Sequence, residues 1–173
     1  MNYIKITPVD IANGPGCRVV LWTAGCSHHC KECHNPDTWN PKAGQLFDRN
    51  AKEELFNVLN KSFIQGITLS GGDPLYKDNI EEITKLCKEI KEKMPEKDIW
   101  CYSGYTFDKD VMGNMFENWS ETKQVMSYID VLVDGKFEEE KKDLNLRFRG
   151  SANQRIIDVQ ESLKVHKVIP YDV

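Results

Sequence analysis

Cys26, Cys30 and Cys33 place three thiols within eight residues, spaced Cys-x3-Cys-x2-Cys. Soft, anionic sulfur suits the irons of a cluster, and close spacing lets one loop wrap several corners of a cube. A four-iron cube has four corners, and the next cysteine, Cys87, falls on the apolar stripe of an expected helix. One iron is then left open, which separates this loop from an electron-transfer ferredoxin closed by four cysteines. The residues alone also allow a structural zinc site completed by His28, His29 or His34. Zinc sites usually pair two separated ligand couples, which tells against that reading. Otherwise the three histidines are polar loop residues, and Cys17 and Cys101 read as strand residues rather than ligands.

Two more groups stand where chemistry could occur. Gly71-Gly72-Asp73-Pro74 follows an apolar run, and two glycines let backbone approach a ligand closely. The same four residues would equally make a strand-to-helix turn. Asp134-Gly135-Lys136 closes another apolar run, so that a carboxylate and an ammonium could face one mouth, or form a solvated turn.

The elements that must carry these groups alternate along the chain. Arg18 to Thr23 reads as a buried strand between Gly16 and Gly25, directly before the cysteine loop. A helix is expected from about Asn50 to Phe63, with Asn50 and Glu53 at capping-box spacing and Leu55, Phe56, Leu59 and Phe63 on one stripe. Ile67 to Ser70 makes a second strand, and Asn79 to Lys93 a second helix in which Asp78 and Glu81 repeat the capping spacing. Ile99 to Tyr102 is a third strand, Asp108 to Trp119 a helix weakened by Gly113, and Ile129 to Val133 a fourth strand. Arg155 to Val159 and Leu163 to Ile169 are read as further strands. Repeated β–α order implies a mainly parallel sheet with its sites at the carboxyl ends of the strands, where the cysteine and glycine motifs fall.

At 173 residues the chain fits a single domain spanning 1–173, and no repeat or linker divides it. A net charge of −4 supplies no basic field for a phosphate backbone, so nucleic acid is not an expected partner. No apolar run approaches the roughly 18 residues of a membrane span, and the N-terminus lacks a basic and apolar leader. A soluble cytoplasmic protein is expected, and clustered cysteines there point to metal rather than to disulfides.

The stretch from Gly14 through Cys26, together with the three cysteines, resembles the signature of glycyl-radical-activating enzymes in the radical S-adenosylmethionine superfamily. Trp22 stands where Phe is usual, and Glu32 where many members carry an aromatic residue. His34 to Trp39, Tyr102 to Thr106, Asp130 to Phe137 and Arg149 to Arg155 are similar to the branch serving anaerobic ribonucleoside-triphosphate reductase, so the likeness runs from residue 14 to about 155. The resemblance implies one [4Fe–4S] cluster per chain on Cys26, Cys30 and Cys33, with S-adenosyl-L-methionine on the open iron. Gly71, Gly72 and Asp73 would receive its amino group, with Tyr102, Ser103, Asp134 and Lys136 completing the surround and Asn153 and Arg155 as further contacts. It implies an anaerobic oxidoreductase that cleaves S-adenosylmethionine and sets a radical on a glycine of the reductase large subunit, fed by an electron donor such as flavodoxin. No side chain need act as nucleophile or general base.

A complete eight-stranded barrel generally takes at least about 200 residues. The implied α/β fold of radical SAM type is therefore an incomplete, TIM-like βα barrel whose open side admits a partner loop. Activation of another glycyl-radical enzyme, of the formate-lyase type, is an alternative. Many such activators carry a ferredoxin-like insertion, whereas residues 34 to 86 contain no cysteine. A small radical lyase acting on a free metabolite and a zinc-stabilised binding module are the other rivals.

Overall fold

The short β-branched runs of the sequence join into one seven-stranded sheet in a computed structural model that describes residues 1–173. In chain order the elements are β1 (Asn2–Asp10), β2 (Cys17–Thr23), β3 (Gln45–Leu46), α1 (Arg49–Leu59), β4 (Ile64–Gly71), α2 (Ile80–Lys93) and β5 (Asp98–Ser103). After a π-helical stretch over Phe107–Met115 come α3 (Phe116–Asn118), α4 (Ser120–Met126), β6 (Val131–Asp134), β7 (Arg155–Asp158) and α5 (Val159–Val165). The sheet order is β3-β1-β2-β4-β5-β6-β7. Strands β2, β4, β5 and β6 are parallel, while β1, β3 and β7 add antiparallel edges. The expected α/β class with a parallel centre is thus observed, and the sheet is mixed. No helix is long and apolar enough to cross a membrane.

The two faces of the sheet differ, because side chains alternate along each strand. Val19, Leu21, Ile67, Leu69, Ile99, Cys101 and Leu132 join the stripes of α1 and α2 in a core of 28 buried residues. On the other face Trp100, Val131, Val133 and Ile156 form a small cluster with Tyr102, Phe148 and Tyr171. Register aligns the strand ends that matter, with Thr23 opposite Gly71 and Ser103 opposite Asp134.

Several expected boundaries move for identifiable reasons. Asp48, not Asn50, caps α1 by accepting from Ala51 N at 2.9 Å. The helix stops at Leu59, and Phe63 stays 56% exposed because the chain turns there to deliver buried Ile64 into β4. Gly113 has non-helical angles (φ −87°, ψ −109°), which splits the expected helix over 108–119. Of the strand expected over 163–169, Leu163–Val165 are instead the end of α5, nucleated by Asp158 accepting from Glu161 N at 2.9 Å, and the chain leaves the helix at left-handed His166. Strand β1 was not anticipated at all. It is an antiparallel neighbour of β2 with mostly half-buried residues, so its sequence carries no continuous apolar run.

Arg18 is the largest polar side chain in the interior, fully buried on β2. Its guanidinium pairs with Asp98, donates to Thr68 Oγ1 and Ile67 O at 2.9 Å, and lies 5.5 Å from the Trp100 ring. Truncating one partner of a buried pair leaves the others unsatisfied. Arg18→Leu is therefore expected to cost about 3 kcal/mol in urea unfolding, and a loss under 1 kcal/mol would contradict this role.

Candidate iron–sulfur site

The thiol loop leaves the carboxyl end of β2 and is tied at its base. Gly25 N donates to Thr38 O at 2.7 Å and Cys26 N to Trp39 O at 3.1 Å. Between these ties the loop turns tightly, with His29 (φ 46°) and Glu32 (φ 55°) in the left-handed region that few non-glycine residues adopt. Cys33 N closes a turn onto Cys30 O at 3.2 Å.

Cys26, Cys30 and Cys33 line one cavity of about 510 Å³ at the strand ends, together with Gly71, Gly72, Asp73, Tyr102, Ser103 and Lys136. Asp134 does not join them. It shares the helix-covered face with Leu132 and is 1% exposed, and its carboxylate accepts from Phe107 N at 2.7 Å and Arg155 Nε at 2.9 Å. Gly135, at φ 96°, then reverses the chain so that exposed Lys136, and not Asp134, reaches the cavity. Arg155 is likewise spent on Asp134 and Asp108. Tyr102 walls the cavity with its hydroxyl already donating to Phe148 O at 2.7 Å, and burial pushes that phenol up.

The two glycines serve a need that the sequence did not reveal. A Cβ on Gly71 would stand 2.6 Å from Thr23 N and O, and one on Gly72 would stand 2.4 Å from Gly25 O. Gly72 N and Asp73 N donate to Thr23 O and Gly25 O, both at 2.8 Å. The Gly-Gly-Asp backbone therefore runs against the root of the cysteine loop. Asn79, read as part of a helix start, donates through its amide to Ala24 O at 2.8 Å and Asp73 O at 3.1 Å. Gln154 also went unnoticed; its Oε1 accepts from Gly150 N and Ser151 N and its Nε2 donates to Gly135 O. Asn79 adjoins an apolar helix start and Gln154 lies in the 149–155 block, but nothing local reveals that they reach Ala24 and Gly135.

Burial pushes the Cys26 thiol up to about 11, against backbone N–H groups of His28 and His29 that favour its thiolate. Burial also raises Cys30, against the backbone N–H of Phe137. Metal binding must therefore displace protons from these sulfurs. The donor set fits a cube. Three soft thiols lining one shared cavity suit the irons of a cluster. The histidines have other neighbours: His28 bonds Asp73, His29 lies 4.7 Å from the Trp39 ring and His34 5.3 Å from Phe137.

Beside the cavity, Arg155 holds the Asp108 carboxyl below the usual carboxylate range. A lowered carboxyl adds stability that is present above the unfolded value, near 4, and is lost as pH falls through the folded one. The stability advantage of wild type over Asp108→Asn is thus expected to hold at pH 5–7 and to shrink below about pH 4 in thermal melts. An advantage independent of pH would exclude this pair as its source.

Fold and site together define an α/β iron–sulfur protein whose thiols come from a single strand-end loop. The model of the 4Fe-4S single cluster domain matches residues 12–157. The chain is 48% identical to the anaerobic ribonucleoside-triphosphate reductase-activating protein of Enterobacteria phage T4 over 90% of its own length and 93% of the relative. Proteins of the same name from Escherichia coli K12 and Haemophilus influenzae are 45% and 42% identical, over 89–90% of this chain and 96–97% of theirs. The chain belongs to the family of anaerobic ribonucleoside-triphosphate reductase-activating proteins.

Proposed function

We propose that the chain is a radical S-adenosylmethionine activase that generates a glycyl radical on anaerobic ribonucleoside-triphosphate reductase. The observation that carries this reading is the convergence of three loop thiols and the Gly-Gly-Asp strand end on one cavity. Relatives named for activation of that reductase support the choice of partner. When bound, the cluster supplies the electron that splits the sulfonium into methionine and the 5′-deoxyadenosyl radical that takes a glycine hydrogen.

The chain's own residues bind, orient and shield. Cys26, Cys30 and Cys33 hold three irons, and the Gly71–Gly72 backbone, with Ser103 and Lys136 near it, offers the bed for the methionine part. Lys136, exposed and cationic, suits a carboxylate. Tyr102 and Phe148 supply an apolar wall. Asp73 and Asp134 act from behind this surface, since both carboxylates are occupied by protein donors. The whole chain is read as a single domain. Its sheet runs from β3 to β7, whose outer edge pairs with the C-terminal segment through Asp158 N to Ile169 O and Tyr171 N to Ile156 O, and does not close on itself; it is read as an incomplete βα barrel whose open side takes a loop of the reductase large subunit. A flavodoxin-type protein is the electron donor in this scheme.

The test is anaerobic. Reduced protein, S-adenosylmethionine and the reductase are mixed, and a glycyl doublet is sought by electron paramagnetic resonance. One zinc per chain without acid-labile sulfide, or cofactor cleavage without any reductase radical, would refute the reading.

A further inference from the structure

We propose that His28 is a positioning residue: it clamps the cysteine loop onto the ends of β4 and β5 through Asp73, and so fixes Cys26 relative to Gly71 and Gly72. The His28 side chain is 7% exposed, and its Nε2 lies 2.8 Å from Asp73 Oδ2. An ionised carboxylate only accepts, so Nε2 carries the hydrogen. Asp73 also accepts from Leu75 N at 2.9 Å, Ser103 Oγ at 2.9 Å and Gly104 N at 3.0 Å. Four donors fill the roughly four lone-pair sites of a carboxylate. Asp73 therefore has no acceptor left for a ligand ammonium, and its influence on the cavity passes through His28.

Two further contacts show that the imidazole has a built seat. Its ring meets Tyr105 edge-on at 4.5 Å, and a Cβ on Gly104 would stand 2.3 Å from a His28 ring carbon. Gly104 is thus the glycine that makes room for His28. His28 lies two residues after Cys26 in the cavity-lining loop. One residue accordingly connects the thiol loop to two strand ends 45 and 76 residues along the chain.

The cofactor part of this inference rests on the proposed function, and the experiment separates the two. In metal-free protein, His28→Leu keeps bulk without a donor and is expected to speed amide exchange across residues 26–34 about tenfold. His28→Gln, whose amide can still donate, restores the slow exchange. Gly104→Ala reproduces the loss, and the H28L/G104A double variant is no worse than H28L alone. If H28L does not fold, Gly104→Ala against His28→Gln decides the same question. In cluster-loaded protein with unchanged iron and sulfide, H28L is expected to weaken S-adenosylmethionine binding about tenfold, and H28Q to recover it. Exchange in the loss variants equal to wild type, or G104A and H28L effects that add in full, would overturn the clamp. Loaded wild type that binds no S-adenosylmethionine would instead sink the proposed function, leaving the exchange result to judge His28.

Discussion

Cys30→Ala is expected to reduce the glycyl doublet to background and to strip the chain of most of its iron, whereas Cys87→Ala is expected to keep both. The contrast follows from placement. Cys30 is a half-buried loop residue on the cavity wall, while Cys87 is fully buried on α2, and burial there pushes its thiol up to about 12. A thiol so reluctant to ionise, packed among the residues of the main core, is a small hydrophobe. Its loss is a packing defect of about 1–2 kcal/mol, read in unfolding rather than in spectroscopy. A radical signal retained in Cys30→Ala, or lost in a folded Cys87→Ala, would reverse the assignment of ligands.

Gly71→Ala is the second change with a large expected effect. At φ 104° the position favours glycine, and the added methyl would stand 2.6 Å from the Thr23 backbone, which has no side-chain freedom with which to yield. Strain and overpacking together amount to about 4 kcal/mol, against a typical total stability of about 5–15 kcal/mol. The displaced segment is the root of the cysteine loop, so iron content is expected to fall along with the urea midpoint. A G71A protein with unchanged midpoint and full iron would show that β2 and β4 do not need this close approach.

These effects explain what the sequence could and could not disclose. Strands β2, β4, β5 and β6 were legible because they are interior, parallel and built from continuous runs such as Val19-Val20-Leu21 and Val131-Leu132-Val133. The thiol loop was legible because its three ligands lie within one turn-rich segment. Strand β1 escaped notice, since an antiparallel neighbour near the edge buries little and shows only mixed burial. The end of helix α5, Leu163 to Val165, was read as the start of a strand because the helix has few apolar residues, and the Asp158 cap that starts it is a single side chain. Asp134 was expected beside Lys136 from its place at a strand end and from the family resemblance. Strand parity turned it to the helix face, where Arg155, 21 residues onward, was already its partner. His28 and Asp73, 45 residues apart, show the same limit. Local pattern reports which residues are present at a strand end, and only the fold reports which of them are already occupied.

The ties from Gly25 to Thr38 and from Cys26 to Trp39 carry a consequence for the life of the protein in air. They close the thiol loop with backbone bonds, so the entropy of bringing its ends together is met by those bonds and not by the metal. A zinc finger falls apart when its ion is removed, because ion and fold are one equilibrium. Here a core of 28 buried residues stands apart from the cysteines at the strand ends. Loss of a cluster from this loop is therefore expected to be a local injury that leaves the core folded.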